Sequence, residues 1–233
     1  MTLSPLSYHV ERFGAEQEPI IVIDNYTDSI DRLTRRAHAA PYKAASAFYP
    51  GIQAPEDPNY LSMRGQDLIR IMSETFDIKG KIEIESCNYS LVCRPREKLA
   101  AAQCLPHIDA NDPQLFASVH YIQAHENAGT AFYQHRKTGF ETITENRKDI
   151  YKEKLQDDFN QYGPPPKNYF YGSDQRYIKI GEIKAKPDRL ILYRGYTLHS
   201  GCIPENTTLT DNILEARITL NSFLWDRQDI QPE

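Results

Sequence analysis

Hydrophobic and polar positions alternate with the two-residue period of β-strands over much of the chain after residue 80. The extended runs are short, rich in Val, Ile, Thr and aromatic residues, and separated by turn residues. They cover residues 81–93, 116–124, 129–136, 176–185, 188–195 and 215–225. Many short strands with irregular connections predict a mainly β (α+β) chain folded as a double-stranded β-helix, a jelly roll of the cupin kind.

The N-terminal part of the chain has a mixed pattern. PIIVIDNY at 19–26 predicts a strand, and the apolar residues of 27–40 and 64–78 recur at helical spacing, the first set behind a Thr or Asp N-cap. The segment 49–60 contains several Pro and Gly residues and predicts a loop. We therefore expect residues 1–80 to supply a strand and helices that pack on the barrel.

One polar segment interrupts the predicted strands. Residues 143–163 are charged and have helical spacing, and they precede PPPKNYFYG. We expect residues 81–233 to form a double-stranded β-helix core carrying an insertion at 143–172. The insertion is either a lid over a site or a passive surface addition, and without a linker or repeat the chain reads as a single domain.

Composition narrows the possible partners. The chain has 27 Lys and Arg against 32 Asp and Glu, a formal charge of -5, with no basic run of the kind that binds nucleic acid. It has neither an apolar stretch long enough to span a membrane nor the layout of a secretory signal. These features predict a cytoplasmic protein that acts on a small molecule, an amino acid or a peptide, without nucleic-acid or membrane partners. The oligomeric state stays open, with a homodimer as one option.

The four cysteines lack the paired spacing of a zinc site and are expected to be reduced thiols. Cys104 and Cys202 each lie three residues from a histidine of interest, so either could border a metal pocket. A free cysteine is more often a small buried hydrophobic residue, and that interpretation is favoured.

Candidate chemistry begins in LPHIDA, where His107 and Asp109 are two positions apart. Side chains at this spacing on an extended segment point to one face, so an imidazole nitrogen and a carboxylate oxygen can meet. LYRGYTLHSG supplies a third candidate ligand, His199. Two histidines and one carboxylate form a facial triad that leaves positions open on Fe(II), but three ligands plus water also suit a zinc hydrolase. The triad by itself does not choose between them.

The last predicted strand adds a cation to the picture. In EARITLNSF the alternation places Arg217 and Thr219 on one face and Ile218 and Leu220 on the other. If the polar face is the barrel interior, the guanidinium needs an anion, and its planar fork suits a carboxylate. A hydroxyl from Thr219 can donate to the same carboxylate.

H-x-D, a distal histidine and then Arg-x-Thr on the next strand resemble the Fe(II)/2-oxoglutarate-dependent dioxygenase superfamily. PHIDA, GTAFYQHRKTG and LYRGYTLHSG together resemble a poorly characterised bacterial group within it, over roughly residues 80–225. This resemblance implies that His107, Asp109 and His199 hold Fe(II). It also implies 2-oxoglutarate as cosubstrate and O₂ as oxidant.

The resemblance assigns further roles. It implies that Arg217 and Thr219 bind the distal carboxylate of 2-oxoglutarate, and Tyr89 matches a tyrosine that the superfamily often adds from an early strand, although packing explains Tyr89 equally well. In related halogenases a small residue replaces the carboxylate ligand, so Asp109 implies oxygen chemistry such as hydroxylation, with release of succinate and CO₂. Arg217 follows His199 by 18 positions, a longer spacing than in many members.

The remaining histidines are weaker candidates for metal binding. His120 is expected in the core or near the ligands, while His125 and His135 have no carboxylate two positions away. His9 and His38 are expected at the surface.

Two other functions use the same residues. A cupin-type metal hydrolase or isomerase would use the three ligands with water and leave Arg217 without a role. A catalytically inactive binding module would keep the barrel without turnover.

Overall fold

The computed structural model describes residues 5–27, 29–46, 49–124 and 128–228. The strands in these ranges are β1 (Tyr8–Arg12), β2 (Pro19–Ile23), β3 (Lys43–Ala44), β4 (Gly51–Pro55), β5 (Lys81–Val92), β6 (Leu115–Gln123), β7 (Gly129–His135), β8 (Tyr177–Lys184), β9 (Arg189–Arg194), β10 (His199–Cys202) and β11 (Ile218–Arg227). The helices are α1 (Ile30–Ala39), α2 (Asn59–Ser62), α3 (Gly65–Phe76) and α4 (Lys148–Tyr162). Short 3-10 turns cover Arg96–Lys98 and Ala101–Cys104.

The strands form a large and a small antiparallel sheet that face each other. The large sheet has the order β1-β2-β9-β6-β11-β5-β4-β3, and the small sheet has the order β10-β7-β8. Apolar side chains fill the space between them, as where Phe132 of β7 meets Tyr193 of β9 edge to face with ring centroids 5.3 Å apart. The two sheets close the flattened barrel of a double-stranded β-helix, and the predicted fold class is confirmed.

The predicted alternation in the last strand is also confirmed. Leu220 and Leu224 pack toward the helices on the outer side of the large sheet, whereas Phe223 joins the cluster between the sheets. Thr219 lies on the inner side, paired across β5 and β6 with Ser90 and Tyr121. A period of two therefore separates an apolar face from a face that lines the barrel.

Helices α1 and α3 cover the outer face of the large sheet. Leu33 and Ala37 of α1 and Leu68, Ile71 and Met72 of α3 are buried there. Burial of one large aliphatic side chain of this kind contributes about 1.5–3 kcal/mol.

The predicted N-cap of α1 is wrong. The capping position is Ser29, which makes no side-chain cap hydrogen bond. Thr27 instead donates its backbone N–H and its hydroxyl to Asp188, at 3.0 Å each to Oδ1. Its side chain therefore ties the start of the helix to the strand connection before β9.

The loop predicted at 49–60 is wrong, because β4 runs through this segment and α2 begins in it. Gly51 explains why a strand has a turn-like composition here. A Cβ at this position would lie 1.8 Å from the Leu91 carbonyl oxygen, so only glycine lets β4 approach β5 this closely.

The polar segment forms the insertion helix α4, which was predicted. Cys87, Cys104 and Cys202 are buried free thiols, which agrees with their interpretation as small core residues. Among the described residues, the helices are too short or too polar to cross a bilayer.

Candidate metal centre

His107, Asp109 and His199 converge in the fold, with one candidate ligand atom from each lying within 4.8 Å of the others. His199 is the first residue of β10. His107 lies beside it on an irregular segment, and the two residues exchange backbone N–H···O hydrogen bonds of 2.9 Å in each direction. The Asp109 N–H donates to the Gly195 carbonyl at 2.8 Å, which fixes the carboxylate next to the pair.

The orientation of His199 is set by a second hydrogen bond. Its Nδ1 lies 2.9 Å from the Thr197 carbonyl oxygen, an acceptor, so Nδ1 carries the proton. The Nε2 lone pair is then free, and Nε2 lies 3.7 Å from Oδ2 of Asp109. The Tyr193 ring packs edge-on against the imidazole with centroids 4.9 Å apart, which restricts its rotation.

The pKa values of the three residues are shifted toward their neutral forms. Burial lowers the pKa of His199 to about 4, and desolvation together with the neighbouring His199 lowers the pKa of His107 to about 4. Burial raises the pKa of Asp109 to about 6, with His107 opposing the rise. Neutral imidazoles are the form that binds metal ions, and a desolvated carboxylate gains from a nearby cation.

The three residues fit a divalent metal ion. Oδ2 of Asp109 is buried without a hydrogen-bond partner among the described residues, in a side chain that is 14% exposed. Buried carboxylate oxygens are normally paired, so this oxygen fits the role of a metal ligand. His107 is the most exposed of the three residues, which leaves one side of the cluster open.

Arg217 and Thr219 lie at the edge of the same barrel interior. The Arg217 guanidinium stacks over Tyr121 at 5.7 Å and makes one long hydrogen bond of 3.5 Å to the Gly129 carbonyl. Gly129, which the guanidinium contacts, pairs with Cys202, and Cys202 is three residues or roughly 10 Å along β10 from His199. The Thr219 hydroxyl is buried, with a 3.5 Å contact to the Ser90 carbonyl.

The structure does not bring Tyr89 to this site. Tyr89 pairs with Leu220 and shares its helix-facing side of the sheet, where the hydroxyl donates to Glu56. Tyr49, which the sequence did not single out, interacts instead with Ser90 on the inner face and with the Arg217 guanidinium. Tyr49 precedes the Pro-Gly pair that indicated a loop, so its sequence gave no signal of this location.

The other histidines lie away from the three ligands. His120 is fully buried on the helix side of the large sheet, with Nε2 3.0 Å from Asp188, so the core prediction is confirmed. His135 is buried on the outer side of the small sheet. His9 is exposed, His38 is half-buried beside Gln123, and His125 lies outside the described residues.

Solved structures share this fold at very low sequence identity. The epimerase SnoN from nogalamycin biosynthesis, described as non-heme and α-ketoglutarate-dependent, is 10% identical, with 91% of this chain and 80% of that chain covered at a TM-score of 0.51. HygX from Streptomyces hygroscopicus, solved with nickel and 2-oxoglutarate, is 8% identical, with 90% and 84% covered at 0.51. AviO1 from Streptomyces viridochromogenes is 10% identical, with 93% and 92% covered at 0.50. These similarities establish the fold.

A search of the curated proteins found no match. A protein family does match, over residues 4–224, which is nearly the whole chain. The chain therefore belongs to the family of unknown function DUF6445.

Proposed function

We propose that the protein is an Fe(II)- and 2-oxoglutarate-dependent oxygenase of the dioxygenase superfamily. In this reaction 2-oxoglutarate and O₂ react with a substrate C–H bond to give succinate, CO₂ and the hydroxylated product. His107, Asp109 and His199 would hold the iron, which when bound supplies the oxygen chemistry. The substrate would be a small molecule, an amino acid or a peptide side chain.

The single observation that carries the proposal is the state of the Arg217 guanidinium. Its Nε is buried without a hydrogen-bond partner, and no carboxylate of the described residues forms an ion pair with the guanidinium. A guanidinium without an ion-pair partner among the described residues suits an anionic ligand, and its planar fork suits a carboxylate. A hydrolase using water at the same ligands would give Arg217 no partner.

Other side chains of the barrel interior can contact the carboxylate that Arg217 would bind. Thr219 and Tyr49 place hydroxyls near the guanidinium, and each has spare hydrogen-bonding capacity toward a carboxylate. A five-carbon dicarboxylate has the length to reach from the metal ligands to Arg217. The open side at His107 then gives the organic substrate access to the metal.

Turnover of the cosubstrate tests the proposal directly. Purified protein is incubated in air with Fe(II), ascorbate and 2-oxoglutarate, and succinate is measured with and without pooled amino acids, peptides or small-molecule extract. We expect succinate that depends on iron and rises with the correct pool, and product that carries added oxygen. Bound iron with no succinate in any pool would refute the oxygenase, and a hydrolysed product would favour the metal hydrolase.

Binding measurements distinguish the proposed metal ligands from the proposed 2-oxoglutarate contacts. Anaerobic titration of the iron-loaded protein should give a weak visible absorption band as 2-oxoglutarate binds. His199→Ala should lose the metal, whereas the exposed His9→Ala should keep it.

Arg217→Ala should keep the metal and bind 2-oxoglutarate about tenfold to a hundredfold more weakly, because a charged hydrogen bond is worth about 1.5–3 kcal/mol. Arg227→Ala is the matched control at the far end of β11, where the side chain is half exposed beside Glu83. Equal cosubstrate affinity in the Arg217 variant and the wild type would contradict the assignment.

A further inference from the structure

The insertion helix α4 lies behind the metal centre, on the outer face of the small sheet. Tyr151, Leu155 and Phe159 on one side of α4 pack against a cluster that includes Tyr133 and Leu198. Leu198 immediately precedes His199 in the chain. The chain at Leu198 therefore packs, on the side away from the His199 imidazole, against the apolar cluster that α4 completes.

A buried charge anchors α4 to this sheet. Asp158 is the one buried residue of the helix; its carboxylate lies 2.8 Å from Nε2 of His135 and 3.0 Å from Nζ of Lys137. The Asp158 carboxylate only accepts hydrogen bonds, so the proton of the His135 imidazole is on Nε2 and points at Asp158. Nδ1 then accepts from the Thr138 hydroxyl, which lies 3.0 Å away and itself accepts the Phe140 N–H.

The segment that leads into α4 also holds the strand that carries His199. The Leu198 N–H donates to the Glu141 carbonyl at 2.9 Å, and the Leu198 carbonyl accepts the Tyr133 N–H at 2.9 Å. Thr197 immediately precedes Leu198 in the chain, and its carbonyl orients the His199 imidazole. A displacement of the 140–143 segment or of β7 would therefore move the acceptor that aims His199.

We propose that α4 is a fixed clamp that positions His199, with Asp158 as its anchoring residue, and not a lid that opens for substrate. The inference rests on the proposed role of His199 as a metal ligand. Asp158 touches neither the ligands nor a substrate, so it acts through His135, β7 and the strand before His199. The helix has a mostly polar sequence, and the buried Asp158 carboxylate adds to the apolar stripe of Tyr151, Leu155 and Phe159 in docking it.

Asp158→Asn tests the clamp with little change of shape. The asparagine oxygen still accepts from His135, but the charge opposite Lys137 is lost and a buried ionic pair without one partner is strongly unfavourable. Asp157→Asn is the matched control, because Asp157 is the preceding residue, is 47% exposed and pairs only with Lys154 at 3.2 Å among the described residues. Lys137→Met is a second variant, which keeps the buried Asp158 carboxylate but removes the ammonium group opposite it at a position that is 27% exposed.

Two readouts are taken at a temperature where every variant is folded by circular dichroism. The first is the affinity for Co(II), followed by its visible absorption, which does not require turnover. The second is hydrogen exchange of the α4 amides and of the Leu198 and Tyr133 amides.

For Asp158→Asn we expect faster exchange at both groups of amides. We also expect Co(II) affinity to fall about tenfold, the lower end of the range for residues that orient metal ligands. Lys137→Met should shift both readouts in the same direction, because it leaves the buried carboxylate without its cation, and Asp157→Asn should match the wild type.

The alternatives give different results. Faster exchange in α4 with wild-type Co(II) affinity would mean that the helix adds only stability, which overturns the positioning role. Wild-type exchange in α4 would overturn the anchor itself. If the wild type bound no Co(II), the proposed function would fail, and the Leu198 and Tyr133 amides would still decide whether α4 holds the strand.

Discussion

Replacing Asp109 by Asn should stabilise the protein in the absence of metal. The buried carboxylate has a pKa raised from 3.8 to about 6, and its Oδ2 has no hydrogen-bond partner among the described residues. A rise of this size means that keeping the carboxylate charged at pH 7 costs about 3 kcal/mol of folding free energy. The neutral amide removes that cost but brings its own buried N–H groups, so we expect a net gain of about 1–2 kcal/mol.

The pH dependence identifies the source of that gain. A raised folded-state pKa means that protonated Asp109 contributes stability below pH 3.8, and that this contribution is lost as the pH rises through about 6. The difference between Asp109→Asn and wild type should therefore be small near pH 4, grow through pH 6 and stay constant above about pH 7.

The assay is urea unfolding of chelator-treated protein across this pH range, followed by the same measurement with excess Co(II). Metal binding stabilises the folded state by mass action, about 2.7 kcal/mol at one hundred times the dissociation constant. Wild type should then become the more stable protein, because Asp109→Asn lacks a charged ligand. A metal-free variant that is less stable than wild type at pH 7 would refute the reasoning.

Three other predictions follow from the same contacts. Tyr49→Phe should weaken 2-oxoglutarate binding severalfold in the anaerobic titration, whereas Tyr89→Phe should leave it unchanged and lower only the melting temperature; the reverse result would restore Tyr89 to the site. Acidification below about pH 6 should reduce Co(II) affinity with a slope of about one proton, because Asp109 takes up a proton there while burial keeps the pKa of His107 and His199 near 4; a two-proton slope beginning near pH 6.5 would contradict this. Gly51→Ala should lower the free energy of unfolding by about 2 kcal/mol or more, since its Cβ would collide with a backbone oxygen of β5, and an unchanged urea midpoint would show that β4 moves freely.

The sequence predicted the strands and the His107–Asp109 pair because both depend on local patterns, whereas His199 was a separate candidate 92 positions after His107. A period of two marks the faces of β11, and the i, i+2 spacing of His107 and Asp109 holds on any extended segment. The tyrosine near Arg217 depends instead on register. Tyr89 and Ser90 are adjacent in the chain but lie on opposite faces of β5, and only the pairing of Ser90 with Thr219 shows which face lines the barrel.

Long-range contacts also explain what the pattern could not reveal about α4. The charged sequence indicates a surface helix, and Asp158 resembles its exposed neighbour Asp157 in every local respect. Its burial is decided by His135, which lies 23 residues earlier on a strand of the small sheet. A residue's neighbours in the chain do not report a partner at that distance.

The mutual backbone pairing of His107 and His199 has a consequence for the folding of the chain. These residues are 92 positions apart in the sequence, yet each is the other's main-chain hydrogen-bond partner. A contact of such separation forms only after the intervening strands have closed, and late native contacts of this type slow folding. A nascent chain that ends before β10 therefore carries two of the three candidate ligands, and the cluster of three assembles only once His199 has paired with His107.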